Sequence, residues 1–426
     1  MSHCRKSAIK GPLSNRLTGP NAGEAFSVLY NLYEAQHAWL TPFRLIAEAQ
    51  RGWFNHPFSP WSQAPLAKQL AASNDLFLRI TQRYTKPDWR VENADMEVAL
   101  EKPFCTLLHF KSRAASRSRK APKVLVVAPL SGHHATLLRD TVRTLVPEHE
   151  VWITDWVDAR MVPMSAGTFH LADYVDYVRE FIRLLAPDVH VISVCQPTVP
   201  VLCAISLMAE EDAPHQPKTM TMMGGPIDAR KSPTAVNNLA MTRPLSWFER
   251  HVIQRVPDKY PGYAPRVYPG FLQHLGFVAM NPDRHVNAHW DYFNHLVEGD
   301  DDSADRHREF YDEYNAVLDL PAEYYLDTVK SVFQDFALPK GRMFIRDRLV
   351  RPQQIRNTAL LTIEGELDDI SGNGQTESAH LLCLNIPKER REHYLAPRVG
   401  HYGIFSGRRW REVIYPKVRD FIRAHG

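Results

Sequence analysis

A chain of 426 residues, 44% hydrophobic and 23% charged, can build a large core and has the balance of an ordinary globular protein. A formal net charge of +3 is too small to point to nucleic acid, and five scattered cysteines (Cys4, Cys105, Cys195, Cys203, Cys383) form no disulfide framework and fit a reducing compartment. No apolar run approaches the ~20 residues that span a bilayer, and the N-terminal residues lack the apolar stretch of a secretory signal, so a cytoplasmic location with no transmembrane segment is expected.

Residues 1–22 hold Gly, Pro, Ser, Asn and basic residues without periodicity, the pattern of a loose tail. From Ala25 the chain changes. Phe26, Leu29, Tyr30, Tyr33, His37 and Leu40 recur mostly at three- and four-residue intervals, which predicts an amphipathic helix. Pro42 is expected to kink it or to begin a new turn. Phe43, Leu45, Ile46 and Trp53 continue a helical stripe, and 55–65 is turn-rich. The favoured reading is that these helices pack on the main domain; the alternative is an aromatic face that touches a hydrophobic surface.

Short strands are predicted over 96–100 and 105–110. The Ser-, Arg-, Lys- and Ala-rich run 111–123 reads as a solvated loop rather than a polyanion site. A buried strand follows over 123–128, then Pro129-Leu130-Ser131-Gly132-His133-His134 and a helix through Val142. A strand over 151–154, a helix over 173–185, a strand over 189–194, a helix over 201–208 and a strand over 219–223 complete an alternation that predicts a parallel sheet with helices on both faces. Residues 227–354 break it. They are dense in aromatics, Pro, His and Met, with helical but no strand patterning, as in a lid over a site. The sheet resumes at 359–363, a helix lies around 378–384, a strand at 393–395, and an amphipathic helix at 410–424. The predicted divisions are 1–95 (tail and helical segment), 96–226 (first part of the core), 227–355 (lid) and 356–426 (second part of the core).

The strand 189–194 ends at Cys195, and a helix follows at once. Strand, sharp turn with a polar or sulfur side chain at its tip, then helix is the layout of a nucleophile elbow. Its usual pattern is G-x-S-x-G; here it reads Ser193-Val194-Cys195-Gln196-Pro197. Taken alone, Cys195 reads equally well as a buried small hydrophobe. An acid at Asp368 or Asp369 and a histidine at His401, between Gly400 and Gly403, lie at later strand ends. Nucleophile, acid, histidine is the chain order of α/β-hydrolases, and loops at the carboxyl ends of strands in a doubly wound sheet converge on one site. The expected fold class is therefore α/β, an α/β-hydrolase with a large helical lid and N-terminal helices. An adjacent imidazole lowers a thiol pKa and takes its proton, and a carboxylate orients the imidazole. Asp368 is preferred over Asp369 as that carboxylate, with Asp369 a turn residue. Backbone N–H donors for an oxyanion are expected at Gln196 and at Ser131, with Leu130 next. The pair His133-His134 has no further ligand at metal spacing, so no metal is expected.

With these residues in hand the chain resembles intracellular polyhydroxyalkanoate depolymerases of the short-chain poly(3-hydroxybutyrate) type. The resemblance rests on Val-Cys-Gln-Pro around Cys195, Gly224-Gly-Pro-Ile-Asp-Ala-Arg230, Phe310-Tyr-Asp-Glu-Tyr314, Glu364-Gly-Glu-Leu-Asp-Asp-Ile-Ser-Gly372 and Val399-Gly-His-Tyr-Gly403, and runs from about Phe26 to the C-terminus. It implies a Cys195–Asp368–His401 triad, a 3-hydroxyacyl thioester, and action at the surface of polymer granules in the cytoplasm, with granule-coat proteins as possible neighbours. No cofactor is implied, although coenzyme A can replace water as acyl acceptor. A polyhydroxyalkanoate synthase-like acyltransferase and a non-enzymatic granule-associated protein are the alternatives. Synthase elbows usually keep glycine where this chain has Pro197.

Overall fold

In the computed structural model the strands assemble around β-branched and aliphatic segments that have no face left for water. They are β1 (Ala94–Lys102), β2 (Cys105–Ser112), β3 (Lys123–Val127), β4 (Glu150–Trp156), β5 (Val189–Val194), β6 (Thr219–Met223), β7 (Ala359–Gly365) and β8 (Arg391–Ala396). Every residue of β5, β6 and β7 is buried, the signature of strands covered on both faces. The sheet order is β1-β2-β4-β3-β5-β6-β7-β8. The pairs β1–β2 and β2–β4 are antiparallel, and all the others are parallel. This is the α/β-hydrolase fold. The structure describes residues 28–56, 58–60, 64–113, 121–211, 214–262 and 265–426. The tail read over 1–22, the start of the first helix at Phe26, part of the 55–65 turn region and most of the 111–123 loop lie outside them.

Helices cover the sheet. In chain order they begin with α1 (Val28–Asn55) and α2 (Pro65–Thr81), a hairpin ahead of the sheet, followed by α3 (Arg139–Leu145), α4 (Leu171–Leu185) and α5 (Thr198–Glu210). α4 buries Leu171, Tyr174, Val175, Val178, Phe181, Ile182 and Leu185, one stripe at three- and four-residue spacing. Its start is held by Asp173, whose carboxylate accepts the His170 N–H at 2.7 Å. α5 is buried on nearly every side, as its uniformly apolar sequence requires.

The segment between β6 and β7 carries α6 (Ala235–Thr242), α7 (Leu245–His251), α8 (Gly270–Met280), α9 (Pro282–Glu298), α10 (Asp301–Asn315) and α11 (Ala322–Thr328). It is not purely helical, as the sequence suggested. Gln254–Arg255, Arg266–Tyr268 and Leu320–Pro321 form a three-stranded antiparallel patch, and Phe344–Ile345 pairs with Arg348–Leu349. Strands of two or three residues are too short to print a period of two. After β7 come α12 (Ala379–Leu382) and, beyond β8, α13 (Tyr415–His425).

Pro42 does not end the first helix. α1 runs through it without a break. The Ala38 carbonyl is the one that lacks the proline N–H, and beside it the Thr41 hydroxyl donates to the His37 carbonyl at 3.0 Å. The hairpin does pack, through Tyr30, Ala47, Ala67, Ala71, Ala72 and Leu78, but Trp39, Phe43, Ile46 and Trp53 remain exposed.

Candidate active site

The turn after β5 is a strained elbow. Cys195 sits at φ 69°, a left-handed conformation that costs a residue with a side chain about 1 kcal/mol or more. Its N–H donates to the Met223 carbonyl at 2.7 Å, and its own carbonyl accepts from Thr198 N–H at 3.2 Å as α5 begins. The two departures from G-x-S-x-G have local reasons. Ser193 is fully buried and donates its hydroxyl to the Thr221 carbonyl at 3.3 Å. Pro197 has φ −58° and ψ −15°, helical angles that proline holds by itself at a helix start, where no N–H is required.

The site's glycines lie just past the end of the neighbouring strand, β6. Gly224 has φ 56°, and a Cβ there would stand 2.6 Å from Ile404 Cδ1 and 3.3 Å from both Asp368 Oδ2 and His401 Cε1. A Cβ on Gly225 would stand 1.9 Å from Thr198 Oγ1 and 2.4 Å from the Cys195 carbonyl. The second glycine is therefore a close approach of β6 to the elbow rather than a turn. Gly225→Ala is expected to lower stability by about 3 kcal/mol and to displace Cys195. Urea unfolding and ester-hydrolysis assays check this; an unchanged midpoint with full activity would remove the close-contact argument.

The structure brings Cys195, Asp368 and His401 together. His401 Nδ1 lies 2.7 Å from Asp368 Oδ2, with both side chains withdrawn from solvent. The other Asp368 oxygen accepts the N–H groups of Ile370 at 2.9 Å and Ser371 at 2.8 Å. Cys195 and His401 line the same cavity, and the Cys195 sulfur is near enough for its charge to act on the His401 ring. Burial pushes the His401 pKa down, but the charge of Asp368 and then that of Cys195 outweigh it, and the imidazole is held well above its ordinary value. Asp369 is exposed and accepts the Asn281 side-chain N–H at 2.7 Å, so it ties the lid to the acid loop.

Cys195 faces a cavity of about 540 Å³ that is roofed by the lid. Leu130, Ser131 and Gln196 line it. Among the described residues no backbone carbonyl accepts the N–H of any of the three. The loop that carries Leu130 and Ser131 is pinned from above, since the Gly132 carbonyl accepts the Leu318 N–H at 2.7 Å. His133 packs on Phe277 with ring centroids 4.9 Å apart and meets the Tyr314 carbonyl at 3.2 Å. Burial lowers the pKa of His133 to about 4 and that of His134 to about 3. Both are packed neutral imidazoles in this arrangement. The one metal-like grouping among the described residues is Glu364, Glu377 and His393.

Several positions around the site carry roles that the sequence reading did not assign. Glu364 is buried at the end of β7, and its two oxygens accept the N–H groups of Gly374, Thr376 and Glu377 at 2.8, 2.7 and 2.9 Å. That occupies the carboxylate with backbone rather than with a cation. Thr376 in turn exchanges hydrogen bonds with Gly225 at 2.8 and 3.0 Å. The acid loop, β6 and the elbow thus form one hydrogen-bonded unit. Inside the cavity, the Gln196 amide and the Tyr324 hydroxyl are buried beside each other, and neither makes a well-formed hydrogen bond. Polar atoms left unpaired in an apolar pocket are costly unless a ligand meets them.

Residues 224–426 match a family described as "PHB de-polymerase C-terminus". No curated protein matches the chain. Among solved structures, a putative lipase from Acinetobacter baumannii AYE is 12% identical, with 83% of this chain and 97% of that chain covered and a TM-score of 0.43. The carboxylesterase CesB from Bacillus subtilis is 10% identical over 84% and 99%, with a TM-score of 0.40. A 2-hydroxy-6-oxo-6-phenylhexa-2,4-dienoate hydrolase from Rhodococcus is 12% identical over 78% and 99%, with a TM-score of 0.41.

Proposed function

We propose that the protein hydrolyses ester bonds of poly(3-hydroxybutyrate) or a similar short-chain polyester through Cys195, His401 and Asp368, a reading supported by the match of residues 224–426 to the family described as "PHB de-polymerase C-terminus". The observation that carries this reading is the 2.7 Å hydrogen bond between Asp368 and His401, with His401 and Cys195 lining one apolar cavity.

His401 takes the thiol proton on the ring nitrogen that faces Cys195. The sulfur attacks the ester carbonyl carbon, and the carbonyl oxygen becomes an oxyanion held by N–H groups of Gln196 and of Ser131 or Leu130. The tetrahedral intermediate expels the alcohol end of the polymer, which leaves with the proton from His401. A 3-hydroxyacyl thioester remains on Cys195. Water gives a proton to His401 and its oxygen to the acyl carbon; the carbon–sulfur bond breaks and the thiol recovers its proton. Coenzyme A can take the acyl group in place of water by the same steps and yield an acyl-CoA. Asp368 keeps its charge throughout and steadies the imidazolium. The Gln196 amide and Tyr324 hydroxyl supply partners for further ester oxygens along the chain. The site of action is the surface of a polyester granule within the cell.

The test is release of 3-hydroxybutyrate or its oligomers from amorphous poly(3-hydroxybutyrate) particles, with and without coenzyme A. Release is expected; formation of polymer from 3-hydroxybutyryl-CoA with no release from particles would move the assignment to a synthase-like acyltransferase.

A further inference from the structure

The outer face of α1 is apolar and uncharged over its whole length. Leu29, Leu32, Trp39, Phe43, Ile46 and Trp53 are all exposed, Trp39 at 67% and Trp53 at 61%. At 100° per residue these six fall within about 120° of the helix circumference, and at 1.5 Å per residue they extend over about 36 Å. Helix periodicity also places Ala35, Gln36, Gln50 and Phe54 within that arc, with the buried Ala47 at its edge. Every charge of α1 lies outside it. Glu34 is taken by Arg83, Lys259 and Tyr260. Arg44 donates to the Leu78 carbonyl at 2.7 Å and to Thr81 at 2.9 Å, and Arg51 to Asp75 at 2.9 Å. An exposed apolar face of this size marks a contact with something.

The helix that carries the stripe packs on a helix that lines the cavity. Tyr33 on the packed side of α1 stacks on Phe271 of α8, with centroids 4.3 Å apart and planes within 8°. The Tyr30 hydroxyl donates to Asp319 at 2.8 Å, and Asp319 accepts the N–H of Gly270 at the start of α8 at 2.8 Å. The same helix lines the cavity through Gly276, Phe277, Ala279 and Met280. Its Leu275 is exposed, as are Val286 and Trp290 of α9. A surface held on α1 is therefore joined through α8 to the cavity that Cys195 lines.

We infer that the outer face of α1 docks the protein on the uncharged surface of its aliphatic polyester. This inference rests on the proposed function for the identity of the surface. The charge pattern selects among apolar surfaces. Helices that lie on anionic bilayers flank their apolar face with free Lys or Arg; α1 has no lysine, and both of its arginines are turned onto α2.

The experiment uses the full chain with Cys195→Ala, so that the particles are not consumed. Co-sedimentation with amorphous poly(3-hydroxybutyrate) particles is compared with that of Trp39→Ser/Phe43→Ser/Trp53→Ser in the same background. The triple substitution is expected to weaken binding at least about tenfold, with little dependence on salt. In the background that keeps Cys195, it leaves hydrolysis of a soluble 3-hydroxybutyrate ester within about twofold, which also reports that the fold survives. Should the triple variant fail to fold, Leu32→Lys/Ile46→Lys is the second pair and should give the same loss. Equal binding with and without the stripe overturns the inference. So does tighter binding to phosphatidylglycerol vesicles than to polyester, or a dimer that the substitutions dissociate. Binding through the stripe without any hydroxy-acid release supports the docking face and removes the depolymerase reading instead.

Discussion

Replacing Cys195 by alanine is expected to lower ester hydrolysis by a factor on the order of 10⁴ or more, with the fold intact. The elbow presents one thiol to the cavity, and the hydrogen-bonded pair Asp368–His401 lines the same cavity through His401. The other described cysteines, Cys105, Cys203 and Cys383, are buried in the core, where loss of solvent raises their thiol pKa values. None of them can replace Cys195. Alanine inherits the same left-handed backbone at 69°, so it adds no new strain and should unfold within about 0.5 kcal/mol of the parent. Glycine at 195 relieves the strain and should be at least as stable as alanine there, and equally inactive. Initial rates on a soluble 3-hydroxybutyrate ester, with urea unfolding beside them, separate these effects. An alanine variant within about tenfold of the parent would mean that another group is the nucleophile.

Asp368→Asn is expected to cost on the order of 10³-fold in kcat/KM, and Asp369→Asn less than about threefold. The two acids are adjacent in sequence, but only Asp368 bonds His401; Asp369 is exposed and holds Asn281 of the lid. The sign of the pH effect follows from the forces on His401. Burial lowers its pKa, while the charges of Asp368 and Cys195 raise it and prevail. Removing the Asp368 charge lets burial count for more, so the limb of the pH–rate profile that belongs to His401 should move to lower pH. Asp369→Asn should leave that limb in place. A shift of equal size in both variants would show that general charge, not the 2.7 Å hydrogen bond, sets the His401 titration.

Much of this architecture is legible in the residues themselves. Val-His-Val-Ile-Ser-Val can only be a strand with both faces covered, and β5 has the predicted bounds. The order of Cys195, Asp368 and His401 along strand ends is enough to predict that they meet. Other features are silent for physical reasons. Gly225 looks like part of a turn, and only a built Cβ reveals the elbow carbonyl beside it. Glu364 reads as one more acid near a strand end, because nothing in the sequence says that three N–H groups will fold back onto it. For α1, periodicity finds apolar residues on more than one side, but it cannot say which side the lid covers. The favoured expectation of packing therefore describes only the inner half of that helix.

The most direct test is the mass of the enzyme caught in the act. Wild-type protein exposed briefly to amorphous poly(3-hydroxybutyrate), quenched in acid and digested, should carry a 3-hydroxyacyl adduct on the peptide that contains Cys195, and hydroxylamine should remove it, as expected of a thioester. An adduct on a different residue, or polymer cleavage with Cys195 never acylated, would contradict the mechanism.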